Sequence, residues 1–360
     1  MQTIKAAVCH EHGQPLVIED IQIADPKMGE LEVDIEAVAI CHSDITYQDG
    51  GWGGALPAVY GHEAAGRITK VGDGVEGFEV GDSVCVTLIR ACGHCQSCHT
   101  GSPTTCETPR TEGPLSTADG KPILQAMATG AFAEKVVVHH SQIVKIPSDM
   151  PKDVASLISC GVITGVGAAT IAADIRPGQD VVVIGAGGVG LNAVQGARIA
   201  GARRIIAVDM LEEKLEVAKE FGATDGVSAK DPKPWNAVKK ILGRGADYVL
   251  VAVGATQAYD DAVRYLGMNG KVVMVGMPHI TATSSYNPMI MANQGQGMIG
   301  SKMGDMVIQR DIPWIVDMYQ QGRLKLDELI SNRYAFEDIN DAIASTKTGT
   351  ARRNVVILKK

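Results

Sequence analysis

What this 360-residue chain lacks narrows its function first. It has no lysine- or arginine-rich run and carries a formal net charge of −8. That argues against a nucleic-acid backbone as partner, because counterion release needs a basic face. Its first residues, "MQTIKAAVCHEHG", lack the charged-then-apolar pattern of a secretory signal. No apolar stretch of about 18 residues stands out that would cross a membrane. The expectation is a cytoplasmic protein with neither membrane nor nucleic acid as partner. Internal repeats and low-complexity segments are missing too, which excludes a repeat array.

What remains has the composition of an ordinary soluble globular enzyme, 45% hydrophobic and 21% charged. The length exceeds one ordinary core, so two domains are expected. Many of the 41 glycines fall at strand-to-helix junctions. In a reducing compartment eight cysteines favour metal binding over disulfides. Cys9 and Cys85, inside strand-like runs, read as buried apolar thiols.

Up to about residue 150 the chain reads mainly as strands and turns, among them "LEVDIEAVAI", "AAGRITKVGDGV", "GDSVCVTLI" and "AFAEKVVVHHSQIVKIP". From Pro151, "PKDVASLISCGVITGVGAATIAA" reads as apolar helix. Strand and helix then alternate through "DVVVIGAGGVG", "RRIIAVDM", "DYVLVAVG" and "GKVVMVGM". Such alternation predicts a parallel sheet covered on both faces. Beyond about residue 300 two amphipathic helices and a closing strand, "ARRNVVILKK", are expected.

The stretch "ACGHCQSCHTGSPTTC" places Cys92, Cys95 and Cys98 one turn apart, with Cys106 able to fold back on them. Four thiolates with no open position describe a structural zinc site. An iron–sulfur cluster takes the same four ligands and stays open as an alternative. A redox C-x2-C needs fewer cysteines. Cys41, His62, Glu63 and Cys160 are further potential ligands, each at or beside a glycine or a strand end. Taken singly, each is equally readable as ordinary core.

In "VVVIGAGGVG", Gly185, Gly187 and Gly190 form G-x-G-x-x-G between an apolar strand and a helix. The first permits the tight turn, the second lets backbone approach a pyrophosphate, and the third allows close helix–strand contact. The following strand ends on Asp209, whose carboxylate suits the ribose hydroxyls of NAD and would repel a 2′-phosphate.

With these motifs assembled, the sequence resembles the zinc-containing medium-chain alcohol dehydrogenases along essentially its whole length, nearest to the class III-like and nicotinoprotein branches. A catalytic zinc on two cysteines and a histidine is the known arrangement of alcohol dehydrogenase, so this is a match to a known case. The resemblance implies an α/β fold: a GroES-like, mostly-β catalytic domain over 1–161, a doubly wound Rossmann domain binding NAD over 162–302, and a return to the catalytic domain over 303–360. It implies two zincs per chain and hydride transfer between an alcohol and NAD. Cys41, His62 and Cys160 would hold the catalytic zinc, with Glu63 approaching it from behind. Asp44 would orient His62, and Ser43 would hydrogen-bond the substrate oxygen and carry its proton away. His42 and Arg353 match positions at the cofactor pyrophosphate, Thr164 and Val189 positions beside the nicotinamide, and Lys214 one near the adenosine ribose. Gly188 completes the glycine turn. For His42 and Lys214 a solvated surface charge is the alternative. A homodimer or homotetramer is expected by resemblance.

The chain also departs from the pattern. Thr46 stands where relatives with a full proton relay have a histidine, and it cannot act as a base near neutral pH. Arg110 matches the arginine that class III enzymes use for glutathione, but the acidic residues of that branch are missing before His62, where only Asp49 stands. A glutathione-dependent formaldehyde dehydrogenase therefore remains an alternative, as does a nicotinoprotein with permanently bound NAD. Arg110 also suits another anionic substrate, or a plain surface position. Leu88, Tyr47 and Trp52 are pocket candidates that read equally well as packing.

Overall fold

Alternation in "ELEVDIEAVA" buries Leu31, Val33 and Ile35 and makes Glu30–Ala39 the spine of a seven-stranded sheet. Glu63–Val71 pairs with it antiparallel on one side. On the other side Lys135–His139 takes its first half and Arg353–Ile357 its second. The computed structural model describes residues 1–109 and 113–359.

The spine belongs to a unit formed by Met1–Cys160 together with Val307–Lys360. Glu32 on the spine is fully buried, yet Lys135, Lys70 and Thr69 all reach it, at 2.9, 3.1 and 2.7 Å. A second, five-stranded sheet is built around Gln2–Cys9 and Val17–Ile23. The expected all-β character of this region is interrupted by a short helix, His42–Gln48, directly after Cys41. Its hydrophobic positions are too few for a periodic signal in the sequence.

Gly161–Met306 is the other unit. Among its described residues six strands pair, all parallel. Their spatial order is Asp225–Ser228, Arg204–Asp209, Asp180–Ile184, Ala246–Val251, Leu266–Met274, Gly297–Gly300. Asp180–Ile184 is buried along its whole length, as a strand covered on both faces must be. The order is 3-2-1-4-5-6 within the unit, the doubly wound arrangement whose direction of winding reverses beside its first strand. The α/β class and the parallel sheet expected from the sequence are both present.

One expectation is overturned. Lys152–Ala172 is a single run of helix long and apolar enough, by length and composition, to cross a membrane. No charged residue follows Asp153 until Asp174, so the expected absence of such a stretch does not hold. In the fold 83% of its most apolar window is buried inside the protein, and a helix apolar all round is what a large core requires.

Candidate active site

Three separate pieces of chain deliver four ligand atoms to one place. Cys41 is the N-cap of the helix His42–Gln48, and His62 and Glu63 open the strand Glu63–Val71. Cys160 lies in a π-helical turn, Ile158–Val162, a local widening that recurs at functional sites. The Sγ atoms of Cys41 and Cys160, a ring nitrogen of His62 and a carboxylate oxygen of Glu63 all lie within 4.8 Å of one another, and all four residues are buried. Ser159, the neighbour of Cys160, ties its turn to the strand through a 2.8 Å bond from Oγ to the Ala64 carbonyl.

Gly61 sets the approach to His62. Its φ is +90°, and a Cβ there would meet the Phe132 backbone nitrogen at 2.6 Å, so only glycine fits. Asp44 then fixes the imidazole. Its Oδ1 lies 2.9 Å from His62 Nδ1 and accepts the Gly61 N–H at 2.9 Å, while Oδ2 accepts the Cys41 N–H at 3.2 Å. With Nδ1 turned to Asp44, His62 Nε2 is left buried without a hydrogen-bond partner. An orphaned ring nitrogen facing two thiols is what a zinc ion would satisfy.

The Cys160 thiol donates to Cys41 and, against the effect of burial, helps hold Cys41 well below the ordinary thiol range. Cys160 in turn sits well above it. Burial pushes Glu63 up to about 8, opposed by the Arg353 guanidinium. Arg353 Nη1 lies 3.3 Å from Glu63 Oε1, close enough for an ion pair but without hydrogen-bond geometry. Ser43 Oγ is 3.7 Å from Cys41 Sγ. Thr46 spends its hydroxyl on the His42 carbonyl at 2.9 Å, and the His42 side chain is exposed. Tyr47 packs edge-on against Trp52 and stacks on Tyr60, with ring centroids 5.1 and 6.3 Å apart. Leu88 is half-buried.

Cys92, Cys95, Cys98 and Cys106 form the other cluster. Their sulfurs stand 4.0 Å apart for Cys92–Cys98 and 3.9 Å for Cys95–Cys106. That is near the edge of about 3.8 Å for a tetrahedron with metal–sulfur bonds of about 2.3 Å. Backbone N–H groups of His94 and Cys95 point at Cys92, that of Cys92 at Cys106, and that of Glu107 at Cys95. Such donors stabilise thiolates, so the loop fits a metal held by four sulfurs.

In Gly161–Met306 the glycine turn has the shape that a dinucleotide needs. Gly185 has a φ of +93°, and a Cβ on Gly190 would stand 1.7 Å from the Gly185 carbonyl oxygen. At Gly187 a Cβ would project into open space, which leaves room for a pyrophosphate over the start of the helix Gly188–Ile199. Asp209 is held by two N–H groups, from Ala186 at 2.8 Å and from Leu211 at 3.0 Å. Thr164 Oγ1 reaches Met303 Sδ at 3.7 Å, and the Val189 carbonyl oxygen lies where Gly165 permits close helix packing. Lys214 is half-buried at the start of the helix Glu212–Glu220. Arg110 lies outside the described residues.

The sequence did not point to the Glu63–Arg353 pairing, the Ser159 tether or the N–H···S donors, because none follows from spacing along the chain.

Known proteins resemble this chain over essentially its whole length. Residues 27–148 match the model of the alcohol dehydrogenase GroES-like domain, and residues 188–321 that of the zinc-binding dehydrogenases. The chain is 34% identical to alcohol dehydrogenase class-P of Arabidopsis thaliana over 98% of its own length and 97% of that protein. It is 35% identical to an NDMA-dependent alcohol dehydrogenase of Amycolatopsis methanolica, covering 98% of each. Among solved structures, benzyl alcohol dehydrogenase from Acinetobacter calcoaceticus superposes with a TM-score of 0.93 at 31% identity, over 99% of this chain and all of that one. A zinc-binding alcohol dehydrogenase domain protein from Burkholderia ambifaria gives 0.95 at 32% over the full length of both.

Proposed function

This chain belongs to the zinc-containing medium-chain alcohol dehydrogenase family, and we propose that it oxidises a small primary or secondary alcohol at the Cys41–His62–Cys160 site. The observation that carries the proposal is the buried convergence of those three ligands around an imidazole nitrogen with no other partner. When bound, zinc supplies the Lewis acid that acidifies the alcohol and NAD supplies the hydride acceptor.

The residues divide the remaining work. Cys41, His62 and Cys160 hold the metal, and Asp44 keeps the His62 tautomer and ring orientation fixed. Ser43 Oγ takes the alcohol's proton as its own hydroxyl proton is handed on. Thr46 cannot pass it on as a base, so it leaves through water. Glu63 is an alternative metal ligand held in reserve by Arg353. Cys92, Cys95, Cys98 and Cys106 hold a zinc that stabilises their loop. In this reading Met1–Cys160 with Val307–Lys360 is the catalytic domain, and Gly161–Met306 binds NAD through Gly185, Gly187, Gly188, Gly190 and Asp209.

A homo-oligomer is part of the proposal. The outer edge of Gly297–Gly300 has no neighbouring strand among the described residues, and Met277, Ile280, Tyr286 and Met289 are exposed in the same unit.

The test is turnover with added NAD and a panel of alcohols that includes benzyl alcohol. Cys160→Ser and Ser43→Ala should each abolish turnover while NAD still binds. Unchanged activity in either would show that the site is misplaced. The full-length similarity to an NDMA-dependent relative favours a second reading, in which NAD stays bound and an external acceptor regenerates it. Cofactor surviving gel filtration, with activity only when an artificial acceptor is added, would select that reading.

A further inference from the structure

A groove of about 710 Å³ lies on the catalytic unit, between the start of the helix Lys152–Leu157 and the ends of three strands, Glu30–Ala39, Ile330–Ala335 and Arg353–Ile357. Ile357 is four residues along its strand from Arg353, about 13 Å at the usual rise. The groove is therefore not the site described above.

Its charges are nearly all matched. Arg333 pairs with Asp153 at 2.7 Å, Glu36 with Arg67 at 3.0 Å, and Lys359 with Asp34. Glu337 is exposed and needs only water. Lys152 is the exception. It is only 9% exposed, and its ammonium donates to two carbonyl oxygens, of Met150 at 2.8 Å and Ser148 at 3.4 Å. Among the described residues no carboxylate lies within ion-pairing distance of it, and one of its three hydrogens is left over.

Burying this ammonium is costly, the more distant Glu36 and Asp149 carboxylates offset that only in part, and an anion that enters beside it recovers more of the cost. Ala37, Ala335 and Ile357 sit in register across the three strands on one face of the sheet, which gives the groove an apolar floor. We propose that this groove binds a small amphipathic carboxylate, with its head group on the Lys152 ammonium and its hydrocarbon over Ala37, Ala335 and Ile357. Burial lowers the Lys152 pKa, and an arriving carboxylate would act in the opposite direction.

Hexanoate is the probe, with hexanol as the same tail without charge. In full-length protein labelled with ¹⁵N,¹³C-lysine, hexanoate should shift one lysine signal saturably, that signal should be missing from Lys152→Gln, and hexanol should not reproduce the shift. Calorimetry should show hexanoate binding weakened at least tenfold in Lys152→Gln. Should that variant fail to fold, Ala335→Trp, at an exposed position, fills the groove and should block the shift while the Lys152 signal persists. Uniform, non-saturating shifts of exposed lysines, or undiminished binding in either variant, would overturn the proposal.

Discussion

Arg353 and Glu63, from opposite ends of the chain, meet as an ion pair 3.3 Å apart, with their side chains 5% and 0% exposed. Above about pH 8, where Glu63 is ionised, removing one member of the buried pair strands the other, a loss of about 3–5 kcal/mol, whereas removing both together costs far less. Arg353→Met should therefore destabilise the catalytic unit more than the Glu63→Gln, Arg353→Met double variant does. Urea unfolding of the four members of the cycle at pH 9 measures this, and strictly additive effects there would show that the contact carries no coupling.

Asp44 makes three contacts that converge on the metal ligands, one to the His62 ring and two to the backbone of Gly61 and Cys41. Asp44→Asn keeps the shape but disturbs the tautomer and removes the charge. Partners of metal-bound histidines are typically worth 10–100-fold in metal affinity or activity. Chelator competition should show zinc leaving the catalytic site about that much more readily, with the four-cysteine site unaffected.

Asp209 is pinned in place by the N–H groups of Ala186 and Leu211. A fixed carboxylate at the end of that strand favours ribose hydroxyls and rejects a 2′-phosphate. Asp209→Ser should weaken NAD and admit NADP, narrowing the preference at least tenfold in kcat/KM. An unchanged ratio would place the ribose elsewhere.

His139 gives the fold a pH dependence remote from catalysis. Its Nδ1 accepts the Ser141 N–H at 3.3 Å, as only a neutral ring can. Burial, then the neighbouring charges of His140 and Arg90, push its pKa from 6.5 down to about 4. Between those values the unfolded chain binds the proton and the folded chain does not. This contribution to stability is therefore present above about pH 6.5 and lost as pH falls toward 4. Denaturation midpoints at pH 7 and pH 5 should differ less in His139→Gln than in the wild type.

How much of this was legible in the sequence depended on distance along the chain. The glycine turn and the four-cysteine loop are local, so spacing alone conveyed their chemistry. Cys41, His62 and Cys160 are scattered, and nothing but the resemblance joined them. The apolar helix after Pro151 is legible along its whole length, but its many glycines and small residues mask an uncharged run long enough to cross a membrane. The Arg353–Glu63 pair and the lone ammonium of Lys152 arise from strand order in the folded sheet, which no window of sequence contains.

The most direct test of the two-zinc account is elemental analysis with zinc K-edge X-ray absorption on wild type and Cys160→Ser. The account predicts two zincs per wild-type chain with an average shell of mixed sulfur and nitrogen, and one zinc in the variant with four sulfurs alone. A single all-sulfur zinc in metal-replete wild type, or two zincs persisting in the variant, would contradict it.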